Sequence, residues 1–194
     1  MPRFEYRDAD HAYLLDGRRI PSVTQVLTLT GRIDDRWFTE AACERGRQVH
    51  AVCEVLDLGK PPDMLQAERA GIASYVDAYR MFLRDCRPVY DSIERGLYHK
   101  TLRYGGRPDR GCRRLFGTSA TLELKSGAEE DWHGVQLAGY ERLRPKGARW
   151  VCYLQKNGRY KIRQCENVDD HQEFLRALRD VWASWPAPQV GVAV

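Results

Sequence analysis

The sequence predicts an α/β (α+β) fold in which a mixed central sheet carries helices on its faces. Three observations lead there. Apolar spacing follows a helical period before Pro88, alternates as strands do after it, and then gives a helix, two more strands and a last helix. The length of 194 residues is that of one domain, and 43% hydrophobic residues suffice for a core of two layers. Neither an internal repeat nor a low-complexity linker divides the chain. Residues 1–194 therefore read as a single domain: an N-terminal hairpin and short helix over 1–30, a core over about 39–185, and a short tail over 186–194.

The first element is a hairpin, because Ala12-Tyr13-Leu14-Leu15 and Arg18-Arg19-Ile20 flank Asp16-Gly17, a pair suited to a two-residue turn. Pro21 closes it, and Ser22 with Gln25 makes a capping box that starts a helix running to about Leu29. A second helix, Thr39 to Leu58, follows from Ala42, Gly46, Val49, Cys53 and Leu56 at alternating spacings of four and three. Gly59 and Pro61-Pro62 stop it. A third is expected from Leu65 to Cys86, with Ile72, Tyr75, Val76, Tyr79, Phe82 and Leu83 inward. Strands are expected over Val89–Tyr98, Leu102–Tyr104, Arg107–Cys112 and Thr118–Lys125, punctuated by Gly105-Gly106 and Phe116-Gly117. A helix from Asp131 to about Leu143 precedes a hairpin of Arg149–Gln155 and Arg159–Cys165 around Asn157-Gly158. The closing helix, Val168 to Trp185, turns Phe174, Leu175, Leu178, Val181 and Trp182 inward and ends at Pro186.

Composition excludes several classes. No apolar run approaches the roughly 20 residues that cross a bilayer, and Met1-Pro2-Arg3-Phe4-Glu5 does not open a signal peptide, so a soluble cytoplasmic protein without a membrane partner is expected. Six cysteines (Cys43, Cys53, Cys86, Cys112, Cys152, Cys165) include no C-x-x-C pair and read as buried thiols. The five histidines show no H-x-x-x-H or H-E-x-x-H pairing, which argues against a zinc hydrolase, and no P-loop occurs, so no nucleotide cofactor is expected. The net charge is only +4, but residues 95–125 carry +6 and 141–163 carry +7, leaving −9 elsewhere. Two basic segments in an acidic remainder suit a polyanion such as DNA.

The informative stretch is Gly106-Arg107-Pro108-Asp109, followed by Thr121-Leu122-Glu123-Leu124-Lys125. On a strand, Glu123 and Lys125 share one face and Leu122 and Leu124 the other. An antiparallel pair turning near Phe116-Gly117 would bring Asp109 beside Glu123. Two carboxylates with an ammonium beside them form a hard oxygen site suited to Mg²⁺ or Mn²⁺. Arg103, Arg107, Arg110, Arg113 and Arg114 cluster around Asp109 in the sequence, where phosphates would arrive. Gln136 and Tyr140, four apart, share a helix face.

The order of Gly-x-x-Asp, Glu-x-Lys and Gln-x-x-x-Tyr after a helical His50 resembles the PD-(D/E)xK nuclease superfamily, and more narrowly its RecB-like and phage-type (lambda-type) exonuclease branch. The matching segments are Arg45-Gly46-Arg47-Gln48-Val49-His50, Gly105-Gly106-Arg107-Pro108-Asp109-Arg110, Leu122-Glu123-Leu124-Lys125-Ser126-Gly127 and Gln136-Leu137-Ala138-Gly139-Tyr140. The opening Ile20-Pro21-Ser22-Val23-Thr24-Gln25-Val26-Leu27 is also similar to phage members. The resemblance implies a restriction-endonuclease-like sheet and a divalent-metal-dependent DNA exonuclease acting on linear DNA in phage-type recombination or repair. It implies Asp109, Glu123 and His50 as metal ligands, with the Leu124 carbonyl as a backbone ligand; Glu94 matches a position where some members carry an additional acidic ligand, the alternative being a solvent-facing strand residue. Lys125 would orient or activate the attacking water, and Gln136 and Tyr140 would contact DNA or steady the site. Contacts with DNA are expected mainly on its backbone. The iron–sulfur branch carries three late cysteines where this chain has only Cys152 and Cys165, so no cluster is expected. A single-strand annealing or recombination partner, homo-oligomerisation and, for a phage-encoded chain, the host cytoplasm stay open. The alternatives are an endonuclease of the same superfamily and a non-catalytic nucleic-acid-binding protein on the same fold.

Overall fold

Three short strands, Phe4–Arg7 (β1), Ala12–Leu15 (β2) and Arg18–Ile20 (β3), form an antiparallel sheet at the N-terminus of the computed structural model, which describes residues 2–34, 36 and 38–185. β1 extends the expected hairpin: Phe4 and Tyr6 turn inward while Glu5 and Arg7 stay exposed, and Tyr6 lies opposite Tyr13. The Ser22–Gln25 capping box is formed and starts Val23–Leu29 (α1). Thr39 caps Glu40–Asp57 (α2) with its side chain. The expected third helix is two helices, Met64–Arg69 (α3) and Ala73–Cys86 (α4), because Gly71 adopts φ 68°, a left-handed conformation that ends α3.

The next strands are Val89–Ile93 (β4), Leu97–His99 (β5), Tyr104–Gly106 (β6), Arg110–Leu115 (β7) and Thr118–Lys125 (β8). The strand expected over 89–98 is thus divided at Glu94, which has φ 45° and donates its N–H to the Asp109 carbonyl at 2.9 Å. The pair Gly105-Gly106 does not make a turn; it lies inside β6. Its cause is close approach, since a Cβ on Gly105 would lie 2.3 Å from Tyr13 Cδ1 and one on Gly106 would lie 2.7 Å from Tyr140 Cε1. Trp132–Glu141 (α5), Ala148–Leu154 (β9), Tyr160–Gln164 (β10) and Asp169–Ser184 (α6) complete the order. The tail expected over 186–194 lies outside the described residues.

The main sheet runs β10-β9-β8-β7-β4 and is mixed: β8 and β9 are parallel, joined by the α5 crossover, and the other neighbours are antiparallel. Helices cover both faces. Leu122 and Leu124 point into one core with Val49, Cys53, Tyr75, Val76, Tyr79 and Phe82 from α2 and α4. On the other face Val151 and Tyr153 meet Leu137 of α5, behind which α1 and α6 pack around Val26, Leu27, Phe174 and Leu178. Cys53, Cys112, Cys152 and Cys165 are buried free thiols, whereas Cys43 and Cys86 are only half-buried. Among the described residues, no helix is long and apolar enough to cross a membrane.

Because Tyr13 occupies the space a Cβ would take at Gly105, Gly105→Ala is expected to destabilise the protein by about 1–3 kcal/mol. Urea denaturation measures this; an unchanged midpoint would mean that the N-terminal sheet can shift away from β6 at no cost.

Candidate metal centre

One end of the main sheet gathers the charged side chains. The turn Phe116-Gly117, with φ 50° and 85°, closes the β7–β8 hairpin in a register that sets Arg110 opposite Leu122. Asp109 and Glu123 therefore stand side by side. The Asp109 N–H donates to Glu123 Oε1 at 3.1 Å, and the Leu124 N–H donates to Asp109 Oδ2 at 2.7 Å. Both carboxylates are buried. Lys125, on the same strand face as Glu123, donates through Nζ to Glu123 Oε2 at 3.2 Å and to Gln136 Oε1 of α5 at 2.9 Å. Gln136 Nε2 in turn donates to the Tyr140 hydroxyl at 3.3 Å. Trp132 lies beside this chain, with its ring centre 5.2 Å from Lys125 Nζ.

His50 arrives from α2, on the other side of the sheet. Its Nδ1 lies 3.3 Å from Asp109 Oδ1 and 3.7 Å from Glu94 Oε1, and its Nε2 lies 3.1 Å from the Leu124 carbonyl. One ligand atom from each of His50, Glu94 and Asp109 falls within 4.8 Å of the others, the spacing that ligands of one ion require. Glu123 stands beside this group rather than within that spacing, its Oε1 taken by the Asp109 amide and its Oε2 by Lys125. Two carboxylates and one imidazole, with the Leu124 carbonyl next to them, make a donor set dominated by hard oxygen, which fits Mg²⁺ or Mn²⁺ better than a thiolate- or imidazole-rich set would.

The carboxylates set the protonation of the group. Burial favours the neutral His50 ring, but Asp109 and then Glu94 outweigh it and raise the pKa to about 10. Without a divalent ion, His50 at neutral pH is an imidazolium donating from Nδ1 to Asp109 and from Nε2 to the Leu124 carbonyl, and ligation of an ion would displace one of its protons. Burial pushes Asp109 up, yet His50, Lys125 and Arg110 hold it below the usual carboxylate range. Glu123 goes the other way: burial, and then the charge of Asp109, push its carboxyl up against the pull of Lys125. Adjacent carboxyls with opposite shifts are a recurring arrangement where one must stay ionised and the other exchange a proton.

The arginines do not sit where the sequence suggested. Arg110, expected on DNA, is fully buried and donates to Asp57 Oδ2, to Glu94 Oε1 at 3.1 Å and to the Asp109 carbonyl at 2.7 Å. A guanidinium without solvent access cannot meet a phosphate. Arg107 turns to Glu94 Oε2 at 2.9 Å, the Tyr6 hydroxyl at 3.1 Å and Asp8 Oδ1 at 2.9 Å. Arg113 and Arg114 are exposed together because β7 bulges there, placing two residues opposite Ser119 alone. They lie at the turn end of the hairpin, roughly 13–16 Å along the strand from Asp109. Arg103 occupies the β5–β6 tip. Much of the second basic segment is paired within the fold: Arg144 with Asp91, Arg149 with Asp170, Lys161 with Glu129. The clustering of these arginines in sequence does not become one continuous basic surface around Asp109.

Asp57, Tyr6, Asp8 and Trp132 escaped the sequence reading. Asp57 had a signal, since it continues the buried stripe of Val49 and Cys53 at a spacing of four, where an acid must find a buried partner. His133, near Gln136 in the sequence, packs behind Trp132: burial, then the charges of Lys125 and Arg163, lower its pKa to about 3, and its Nδ1 lies 3.0 Å from the Tyr153 hydroxyl.

No family model matches the chain, and no curated protein does. Among solved structures, the crystal structure of SSO0001 is similar over 73% of this chain and 87% of that one, at 12% identity and a TM-score of 0.37, a likeness too distant to assign a fold or an activity.

The raised His50 pKa has a measurable consequence. Its ion pairs stabilise the fold fully below its ordinary value of 6.5 and are lost as pH rises through about 10. Without divalent ions, the thermal midpoint is expected to fall over that interval, and His50→Gln should flatten the fall; a wild-type profile identical to that of the variant would contradict the assignment.

Proposed function

We propose that the protein is a divalent-metal-dependent deoxyribonuclease of the PD-(D/E)xK superfamily, acting as an exonuclease on linear DNA. The observation that carries this reading is the convergence of His50, Glu94, Asp109, Glu123 and Lys125, from α2, the β4 end and the β7–β8 hairpin, at one end of a mixed sheet. The resemblance of its motifs to the RecB-like and phage-type branch supports a role in recombination or repair.

His50, Asp109, Glu123 and the Leu124 carbonyl, with Glu94, would hold Mg²⁺ or Mn²⁺. A divalent ion there acidifies water and offsets the charge that phosphodiester hydrolysis gathers on phosphate oxygens. The chain's own groups do the rest. Lys125 has three N–H donors, of which Glu123 and Gln136 fix two, leaving the third for a phosphate oxygen or the attacking water. Glu123, with its carboxyl pushed up by burial and by Asp109, is the carboxylate that a bound divalent ion would relieve most, since Lys125 only partly offsets its buried charge. Gln136 and Tyr140 are buried and act on Lys125 from behind rather than on DNA.

Purified protein incubated with end-labelled linear DNA and with closed circles in Mg²⁺ or Mn²⁺ tests this. Nucleotide release from linear DNA is expected, with EDTA abolishing it and Lys125→Ala lowering kcat by about 10²–10³. Release unaffected by either would overturn the proposal, and efficient cutting of closed circles would make the enzyme an endonuclease.

A further inference from the structure

We infer that Arg110 is a positioning residue of the candidate metal centre: its buried guanidinium ties α2, at Asp57, to the Glu94 carboxylate and to the Asp109 backbone. The inference rests on the metal-dependent reading of that site and assigns a role to a residue that touches neither metal nor substrate.

The side chains of Arg110 and Asp57 are both fully buried. A buried ion pair tolerates little displacement, because each charge left without its partner pays the full cost of leaving water. Arg110 contacts three separate parts of the chain. Nε donates to Asp57 on α2, while Nη1 donates to Glu94 Oε1, at the end of β4, and to the Asp109 carbonyl, just before β7. The partners are themselves anchored. Asp57 Oδ1 accepts from the Tyr79 hydroxyl of α4 at 2.7 Å, and that hydroxyl shares a 2.9 Å hydrogen bond with Tyr90 of β4.

The consequence reaches the ligands through two paths. Asp57 and His50 are seven residues apart on α2, two turns along one face, so fixing Asp57 against β7 fixes where His50 stands above Asp109. Glu94 has φ 45°, an unfavourable backbone for a residue with a side chain. It is held there by its N–H bond to the Asp109 carbonyl, the same oxygen that accepts from Arg110. Lysine would keep the charge but not the fork: its single nitrogen could not stand both where Nε meets Asp57 and where Nη1 meets Glu94 and the Asp109 carbonyl.

The test is Mn²⁺ titration of the full chain by calorimetry, below the melting temperature of every variant, with kcat and KM measured on linear DNA. Arg110→Lys is expected to weaken Mn²⁺ binding by about 10- to 100-fold and to lower kcat, with KM for DNA unchanged. A DNA-contacting arginine would instead raise KM and reduce the salt dependence of binding. Arg144→Lys, which alters another buried arginine paired with Asp91, should lose thermal stability yet bind Mn²⁺ as wild type does. Should Arg110→Lys not fold, Asp57→Asn carries the same criterion. Wild-type affinity in the folded variant overturns the inference and leaves the nuclease reading standing; no Mn²⁺ binding by the wild type removes both.

Discussion

The register of the β7–β8 hairpin is the constraint on which the rest depends. The Phe116-Gly117 turn fixes it at one end, and at the other each carboxylate takes a backbone amide across the pair: Asp109 that of Leu124, and Glu123 that of Asp109. A slip of one residue would turn Glu123 and Lys125 into the core and Leu122 and Leu124 toward the site. Hydrophobic burial on one face and a charged cluster on the other therefore enforce the same register from opposite sides.

Around that hairpin the charges form a closed set. Asp57, Glu94, Asp109 and Glu123 face His50, Arg107, Arg110 and Lys125, each within ion-pair distance of at least one partner. Four carboxylates brought to one buried end of a sheet repel one another strongly unless cations come with them. Two of the five arginines that crowd Asp109 in the sequence, Arg107 and Arg110, are explained by this internal demand, so the +6 of residues 95–125 overstates what this end offers a polyanion.

Much of the fold was legible because its signals are local. The Ser22–Gln25 capping box, the Asp16-Gly17 turn and the Thr118–Lys125 strand lie where spacing and turn chemistry put them. What misled was long-range. Gly105-Gly106 has the look of a turn, but its glycines answer to Tyr13 and Tyr140, far away in the chain. Gly71 divides a helix whose apolar period runs on without a break. At the site, Asp109, Glu123 and Lys125 could be brought together from strand geometry alone, because one hairpin carries them. The burial of Arg110 could not, because it depends on an acid on α2 fifty-three residues earlier. Charge counted along a sequence does not distinguish a guanidinium facing water from one locked under a sheet.

The grip on Glu94 gives the N-terminal sheet a reach beyond its own strands. Arg110 holds one oxygen of that carboxylate from inside the core, and Arg107 holds the other while resting on Tyr6 and Asp8. The strand at residues 4–7 and the turn after it are thus part of the scaffold of an acid almost ninety positions later. Whatever loosened that first strand would free one arm of Glu94 without touching the sheet that carries the hairpin. The protein's opening residues belong, mechanically, to its centre.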